Sequence, residues 1–223
     1  NKKNKLYKIE VMFCKKCITA YQKYQVPKKK LFPPTYHYRS KFTKDVISGL
    51  KDIVKSSKIF SGNLKNKVVL DIGCNDGSLL DFFKKEKSIT LGIEPTNSVN
   101  EAKIKGHKVY KSYMDSRSVS KLRKDYPKID VITFANVFAH IENLREIIKN
   151  LKKLLSKETL LIIENHYLGS VIEKKQFDTF YHEHPRTYSL KSFIEISKLL
   201  GTNIISYKFP KRYGGNIRVV FSN

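Results

Sequence analysis

The stretch Lys67-Val68-Val69-Leu70-Asp71-Ile72-Gly73-Cys74-Asn75-Asp76-Gly77 constrains this chain more than any other. An apolar run ends in an acid, passes through a turn of small residues, and opens onto a pattern of helical period. That order predicts a buried parallel strand, a tight loop and a helix. Gly73 and Gly77 let the backbone approach a ligand with no Cβ in the way. Leu91-Gly92-Ile93-Glu94-Pro95 closes the next apolar run with a second acid, roughly 20 residues on, where nucleoside-binding folds place the carboxylate that holds ribose hydroxyls. The loop has neither the full Gly-x-Gly-x-x-Gly of dinucleotide binders nor the Lys-Ser/Thr that cradles a triphosphate. A nucleoside without phosphate fits better, and S-adenosylmethionine (SAM) is the obvious candidate. A purely structural strand–turn–helix is the alternative on the loop alone.

From Lys67 onward apolar runs and helical patterns alternate. Strands are expected at Val68 to Ile72, Ile89 to Ile93, His107 to Tyr110, Ile129 to Phe134 and Thr159 to Glu164. Helices Ser78 to Lys85, Ser98 to Lys105, Ser118 to Lys124 and Glu142 to Leu155 lie between them. A further helix, Leu190 to Leu200, precedes two late strands near Ile204 to Phe209 and Ile217 to Phe221. This rhythm predicts an α/β fold with a mostly parallel sheet covered by helices on both faces, spanning residues 64–223. Ligands of such a sheet sit beyond the carboxyl ends of its strands. Those ends carry Asp71, Glu94, Asn136 and Glu164. Residues 34–63 read as a linker with one helix, in which Val46, Ile47, Leu50, Ile53 and Val54 recur at helical spacing. Residues 1–33 form a Lys-rich piece that contains Cys14-x-x-Cys17.

Composition removes several classes. With 223 residues, 40% hydrophobic content, 13 Tyr and 13 Phe, the chain has enough apolar side chains for a substantial core and is not of the disordered class. No run approaches the roughly 20 apolar residues of a membrane span, and no signal segment opens the chain. Three cysteines suggest no disulfide framework, so a reducing, cytoplasmic setting is expected. The net charge of +24 invites a nucleic-acid partner. Only seven of the 44 basic residues are Arg, however, and the lysines are spread over nearly every predicted helix, so no specific nucleic-acid site is expected. An acidic, nucleotide-linked ligand would still be attracted.

Chemistry concentrates in Phe177-Asp178-Thr179-Phe180-Tyr181-His182-Glu183-His184. Two imidazoles, a carboxylate and a phenol share one short loop after the fifth strand of the alternating region. Histidine is the side chain best placed to move protons near neutral pH. A carboxylate beside it can orient the ring, and a tyrosine can relay a proton or bond an oxyanion. His182 and His184 would share a face in extended structure, which leaves a metal reading open; a polar cluster tying the loop to the sheet is the other alternative. Cys14 and Cys17 make half of a four-ligand zinc site. In Tyr36-His37-Tyr38-Arg39-Ser40 the aromatics could line a substrate mouth or pack a linker. His140 lies just past the fourth strand.

Together these motifs resemble the SAM-dependent sugar C-methyltransferases, which act on nucleotide-linked ketodeoxysugars. The resemblance runs from Cys14-x-x-Cys17 and Tyr36-x-Tyr38-x-Ser40 through the Asp71–Gly77 loop, Gly92-Ile93-Glu94-Pro95 and Asn136-Val137-Phe138-Ala139-His140. It continues through the Tyr181–His184 block to Gly214-Gly215-Asn216-Ile217-Arg218. It implies a Rossmann-like SAM methyltransferase fold with a small N-terminal cysteine-containing module. It also implies SAM as cofactor, zinc on Cys14 and Cys17 as a half site, and a nucleotide-sugar substrate. Roles follow by position. His184 is the base, Glu183 its orienting partner, and Tyr181 the relay or oxyanion holder, with His140 beside them. Tyr36, Tyr38 and His182 contact the sugar. Asp71, Gly73, Asn75, Asp76, Gly77, Glu94 and Asn136 hold the cofactor. The chain departs from the family in having one cysteine pair, in ending shortly after Arg218, and in carrying Asn216 where the family has Ser; a trimmed piece of a longer protein would show this. O- or N-methylation of a polysaccharide precursor, and RNA methylation, are the alternatives within the same fold.

Overall fold

The computed structural model describes residues 6–223. Residues 1–5 of the expected N-terminal module lie outside the described residues. Val11–Cys14 (β1) and Thr19–Gln22 (β2) form an antiparallel hairpin. A single turn, Lys28–Leu31 (α1), and an irregular strap lead to α2, Lys44–Ser61. The alternating region begins with β3 Val68–Ile72, α3 Ser78–Lys85, β4 Ile89–Ile93, α4 Val99–Ile104 and β5 Lys108–Tyr110. It continues with α5 Ser116–Asp125, β6 Val131–Ala135, α6 Leu144–Leu154 and β7 Leu160–His166. Then come α7 Leu168–Glu173, β8 Arg186–Tyr188, α8 Leu190–Leu200, β9 Asn203–Lys208 and β10 Asn216–Ser222.

Seven strands form the main sheet in the order β5-β4-β3-β6-β7-β10-β9. The first five are parallel, and β10 joins β7 and β9 antiparallel. Both faces are covered, which explains the unbroken apolar runs in the strands. Along β3, Val69 packs with Val46, Leu50 and Ile53 of α2 and Leu79 and Phe83 of α3. Leu70 and Ile72 belong to the opposite layer, with Leu122 of α5, Leu151 of α6 and Phe193 of α8. The chain order reverses at β3, between β4 on one side and β6 on the other. That reversal opens the crevice in which α/β sheets take their ligands.

Two findings differ from the expected layout. Glu164, at an expected ligand-facing strand end, is fully buried and points away from the crevice. Its carboxylate accepts from Arg218 Nε at 2.5 Å and also pairs with Arg212. Arg218, itself fully buried, reaches on to Asp52 at 2.9 Å and Ser56 Oγ at 2.8 Å. The Arg of the Gly-Gly-x-x-Arg motif therefore pins α2 to the sheet. The second difference concerns the hairpin. β2 pairs with β8, Ala20 opposite Thr187, in a small three-stranded sheet, so residues 19–22 share backbone hydrogen bonds with a segment far along the chain. β8 is three residues long and carries no periodic signal. Among the described residues no helix is long and apolar enough to cross a membrane.

Candidate functional site

A cavity of about 500 Å³ opens beyond the carboxyl ends of β3, β4, β6 and β7. Asp71, Glu94, Glu142, Glu146, Asp178 and Glu183 line it, against Lys28 as the one lysine. On a chain of net charge +24, this acid-lined hollow favours a cation.

One half is built from the β3–α3 loop. Gly73, Asn75 and Gly77 all have positive φ, at +72°, +50° and +78°. A Cβ on Gly73 would come within 2.6 Å of Val137 Cγ2. Glu94 accepts from Asn75 N (3.1 Å), Thr96 N (2.8 Å) and Thr96 Oγ1 (2.6 Å). A carboxylate offers about four acceptor sites, so one remains for a ribose hydroxyl. Asp71 accepts from Thr133 Oγ1 at 2.7 Å. Burial pushes its carboxyl up to about 7, opposed by the Thr133 bond and assisted by Glu94. Asn136 (φ +56°) follows β6 and lines the same wall. The sulfonium and ammonium of SAM outweigh its carboxylate by one positive charge, so the acid lining and the Cβ-free loop both fit it.

Asp76 and Gly77 stand behind this wall, which corrects their expected contact with the cofactor. Asp76 is fully buried and accepts from Ser78 N (3.1 Å) and Ser78 Oγ (2.6 Å), the groups that open α3, and from Lys41 N (3.1 Å). Gly77 makes the left-handed turn into α3, and a Cβ there would lie 3.2 Å from Ala102 Cα. Asn75 lines the cavity, but its side chain holds the strap: Oδ1 accepts from Ser40 N and Nδ2 donates to Tyr38 O.

The other half gathers distant segments. His184 is buried; its Nδ1 faces the Thr179 carbonyl at 3.1 Å and its Nε2 faces Tyr181 Oη at 3.1 Å. A carbonyl only accepts, so Nδ1 carries the proton and Tyr181 donates to Nε2. Burial, followed by His140 and His166, pushes His184 down to about 3 despite the Thr179 carbonyl. Burial pushes Tyr181 up to about 12, helped by Glu183. Glu183 is not the orienting partner of His184: it accepts from Tyr36 Oη at 2.9 Å, and the Thr179 carbonyl orients the imidazole instead. His140 Nδ1 lies 2.6 Å from the Glu183 carbonyl, and its ring centroid is 5.0 Å from that of His184. Tyr36 and Tyr38 line the cavity as expected. His182 does not; its ring lies edge-on to Tyr7, and its Nδ1 is buried without a partner. The loop turns, with His184 N donating to Tyr181 O, so His182 and His184 do not share an extended face.

Sequence reasoning missed His166, Tyr213 and Tyr113, all on the cavity wall. His166 lies two residues past the expected end of its strand, and no local pattern marks it. Cys14 ends β1, and Cys17 lies within the hairpin turn. Hydrogen bonding from Cys17 holds the Cys14 thiol below its usual range, while burial raises Cys17. Two thiols are half of a tetrahedral set, and no group of three metal-ligating side chains occurs among the described residues. They do not make a zinc site by themselves.

Residues 42–207 match the family model described as a methyltransferase domain. The chain belongs to this methyltransferase family. C-methyltransferase NovU of Streptomyces niveus is 23% identical over 218 residues, covering 97% of this chain and 51% of NovU. A ubiquinone biosynthesis O-methyltransferase of Pelagibacter ubique is 31% identical over 116 residues, 51% of this chain and 48% of that protein. The chain thus spans about half the length of these relatives. Magnesium protoporphyrin IX methyltransferase of Synechocystis PCC 6803, solved with bound SAM, superposes with a TM-score of 0.56 at 15% identity, covering 79% of each chain. The same enzyme with bound SAH gives 0.58 at 17% identity, over 87% of this chain and 91% of that one. Both share the Rossmann-like sheet.

Proposed function

We propose that this methyltransferase methylates a carbon next to a ketone on a nucleotide-linked sugar. The observation that carries the reading is the hydrogen-bonded Tyr181–His184 pair, which faces the same cavity as Asp71 and Glu94. A hydroxyl acceptor needs one proton removed from oxygen; a carbon acceptor needs a stronger device, because its proton is less acidic. The likeness to NovU along nearly the whole chain supports the same class.

Asp71 and Gly73 shape the methionine end of the site, Glu94 takes the ribose hydroxyls, and Asn136 faces the methionine portion. When bound, SAM supplies a methyl group on a sulfonium that leaves as a neutral thioether. Tyr181 Oη takes the proton from the acceptor carbon as its own proton passes to His184 Nε2. The C–H electron pair becomes the enolate, whose carbon then takes the methyl while the ketone re-forms. His184 resists protonation in its buried site, so its cation forms only as the enolate charge forms beside it. The proton returns through Tyr181, which is 40% exposed and gives a route to water. His140, Tyr36 and Tyr38 line the space the sugar takes.

Exchange of the acceptor α-proton tests this. With protein and SAH in D₂O, deuterium should enter the carbon next to the ketone. A methyl ether product with no exchange would instead establish the O-methyl reading, which the 31% identity to the ubiquinone enzyme favours.

A further inference from the structure

The Tyr181–His184 relay accounts for the proton but not for the oxygen, which becomes negative as the enolate forms and needs a donor. Tyr181 directs its proton to His184, and His140 directs its Nδ1 proton to the Glu183 carbonyl. His166, the last residue of β7, lines the cavity beside them. Its ring stacks on Tyr213 at 5.6 Å and 23°, and lies edge-on to His184 at 5.2 Å. The plane is therefore fixed by two neighbours. Nδ1 lies 3.5 Å from Thr179 Oγ1, while Nε2 has no protein partner among the described residues and is not sealed from the cavity. Thr179 is buried, and its hydroxyl has no other acceptor among the described residues. A buried hydroxyl proton without an acceptor is costly. Donation from Thr179 Oγ1 to Nδ1 would leave the imidazole proton on Nε2.

We propose that His166 is a catalytic residue of this reaction, its neutral Nε2–H donating to the acceptor carbonyl oxygen as that oxygen becomes the enolate. The carbonyl π pair moves onto oxygen and is held by the hydrogen bond; no proton leaves His166. Burial, then His140, holds His166 below the usual imidazole range, against the pull of Asp178. With His184 neutral and Tyr213 protonated beside it, the ring stays an uncharged donor at neutral pH. This assignment rests on the ketone reading and names the group that makes the ketone reactive.

Two measurements test it. In ¹⁵N-labelled protein with SAH, long-range proton–nitrogen correlation should give His166 as the neutral Nε2–H tautomer at pH 7.5. An Nδ1–H tautomer or an imidazolium would overturn the proposal. The second measurement is α-proton exchange in D₂O on a nucleoside-diphosphate-linked 4-ketosugar. His166→Phe should lose about 10²–10³-fold in rate. His166→Gln, which keeps an N–H donor, should recover part of it, and both should bind SAH as the parent does. Exchange that survives in His166→Phe would overturn the His166 role alone. Absence of exchange in the unsubstituted protein would overturn the ketone reading beneath it.

Discussion

The two halves of the cavity solve their tasks by opposite means. The cofactor half is made of consecutive residues. Its shape comes from backbone, three positive-φ positions within five residues, and its charge from two buried acids at adjacent strand ends. The acceptor half is made of side chains from five separate places: the strap with Tyr36 and Tyr38, the turn with His140, the end of β7, the Phe177–His184 loop, and Tyr213 before β10. All three of its imidazoles are held below the usual histidine range, chiefly by burial. Fixed negative charge suits the capture of a sulfonium. Uncharged, mutually bonded groups suit the movement of a proton and the reception of a developing oxyanion. Substitutions in one half should therefore change binding, and those in the other should change turnover.

The largest expected effect tests the acceptor half. His184→Ala removes the terminus of the relay and should lower methyl transfer by about 10²–10⁴-fold. SAM affinity by titration calorimetry should stay within a few-fold, because His184 contacts Tyr181 and Thr179, not the glycine loop. Near-normal turnover would remove His184 from the relay. A large loss of SAM affinity would break the division between the halves.

Glu94→Ala is the matching test on the other side. It deletes the ribose acceptor and also frees Asn75 N and Thr96. Affinity for SAM should fall by about 1–3 kcal/mol, with turnover at saturating SAM much less affected. An unchanged dissociation constant would show that Glu94 serves only to brace the loop.

The same contrast explains what was legible. The cofactor half could be read because its logic is local: an apolar run, an acid, small residues, a helix. Strands Val68–Ile72 and Ile89–Ile93 and helix Ser78–Lys85 fall where periodicity put them. Local reading overreached at Asp76, an acid in the right loop whose oxygens face Ser78 and the strap. The acceptor half was only partly legible because its partners are set by tertiary contact. Sequence adjacency suggested Glu183 for His184, yet the turn sends Glu183 to Tyr36, 147 residues away. His182 belongs to the same block, but the chain direction at that turn points it at Tyr7. His166 and Tyr213 carry no motif of their own, and only the sheet brings them to His184.

The smallest effect, and the most specific, is a pH dependence confined to the cofactor half. The Asp71 carboxyl is raised to about 7 in the folded chain, from about 3.9 in the unfolded one. A raised carboxyl favours the protonated folded state. Its contribution to stability is complete below about pH 4 and is lost as pH rises through about 7. Binding has the opposite sign, since only the ionised form attracts the cation. SAM affinity should therefore climb between pH 6 and 8, by no more than about tenfold per unit. Asp71→Asn should flatten that climb and bind SAM more weakly at pH 8. The same variant without ligand should melt above the parent at pH 8 and close to it below about pH 4, because the amide keeps an acceptor for Thr133 and never ionises. The imidazoles across the cavity are all held below the usual range, His184 down to about 3, so a turnover profile at saturating SAM should not follow the Asp71 curve. If it does, charge on the cofactor side reaches the proton relay, and the two halves are one electrostatic unit.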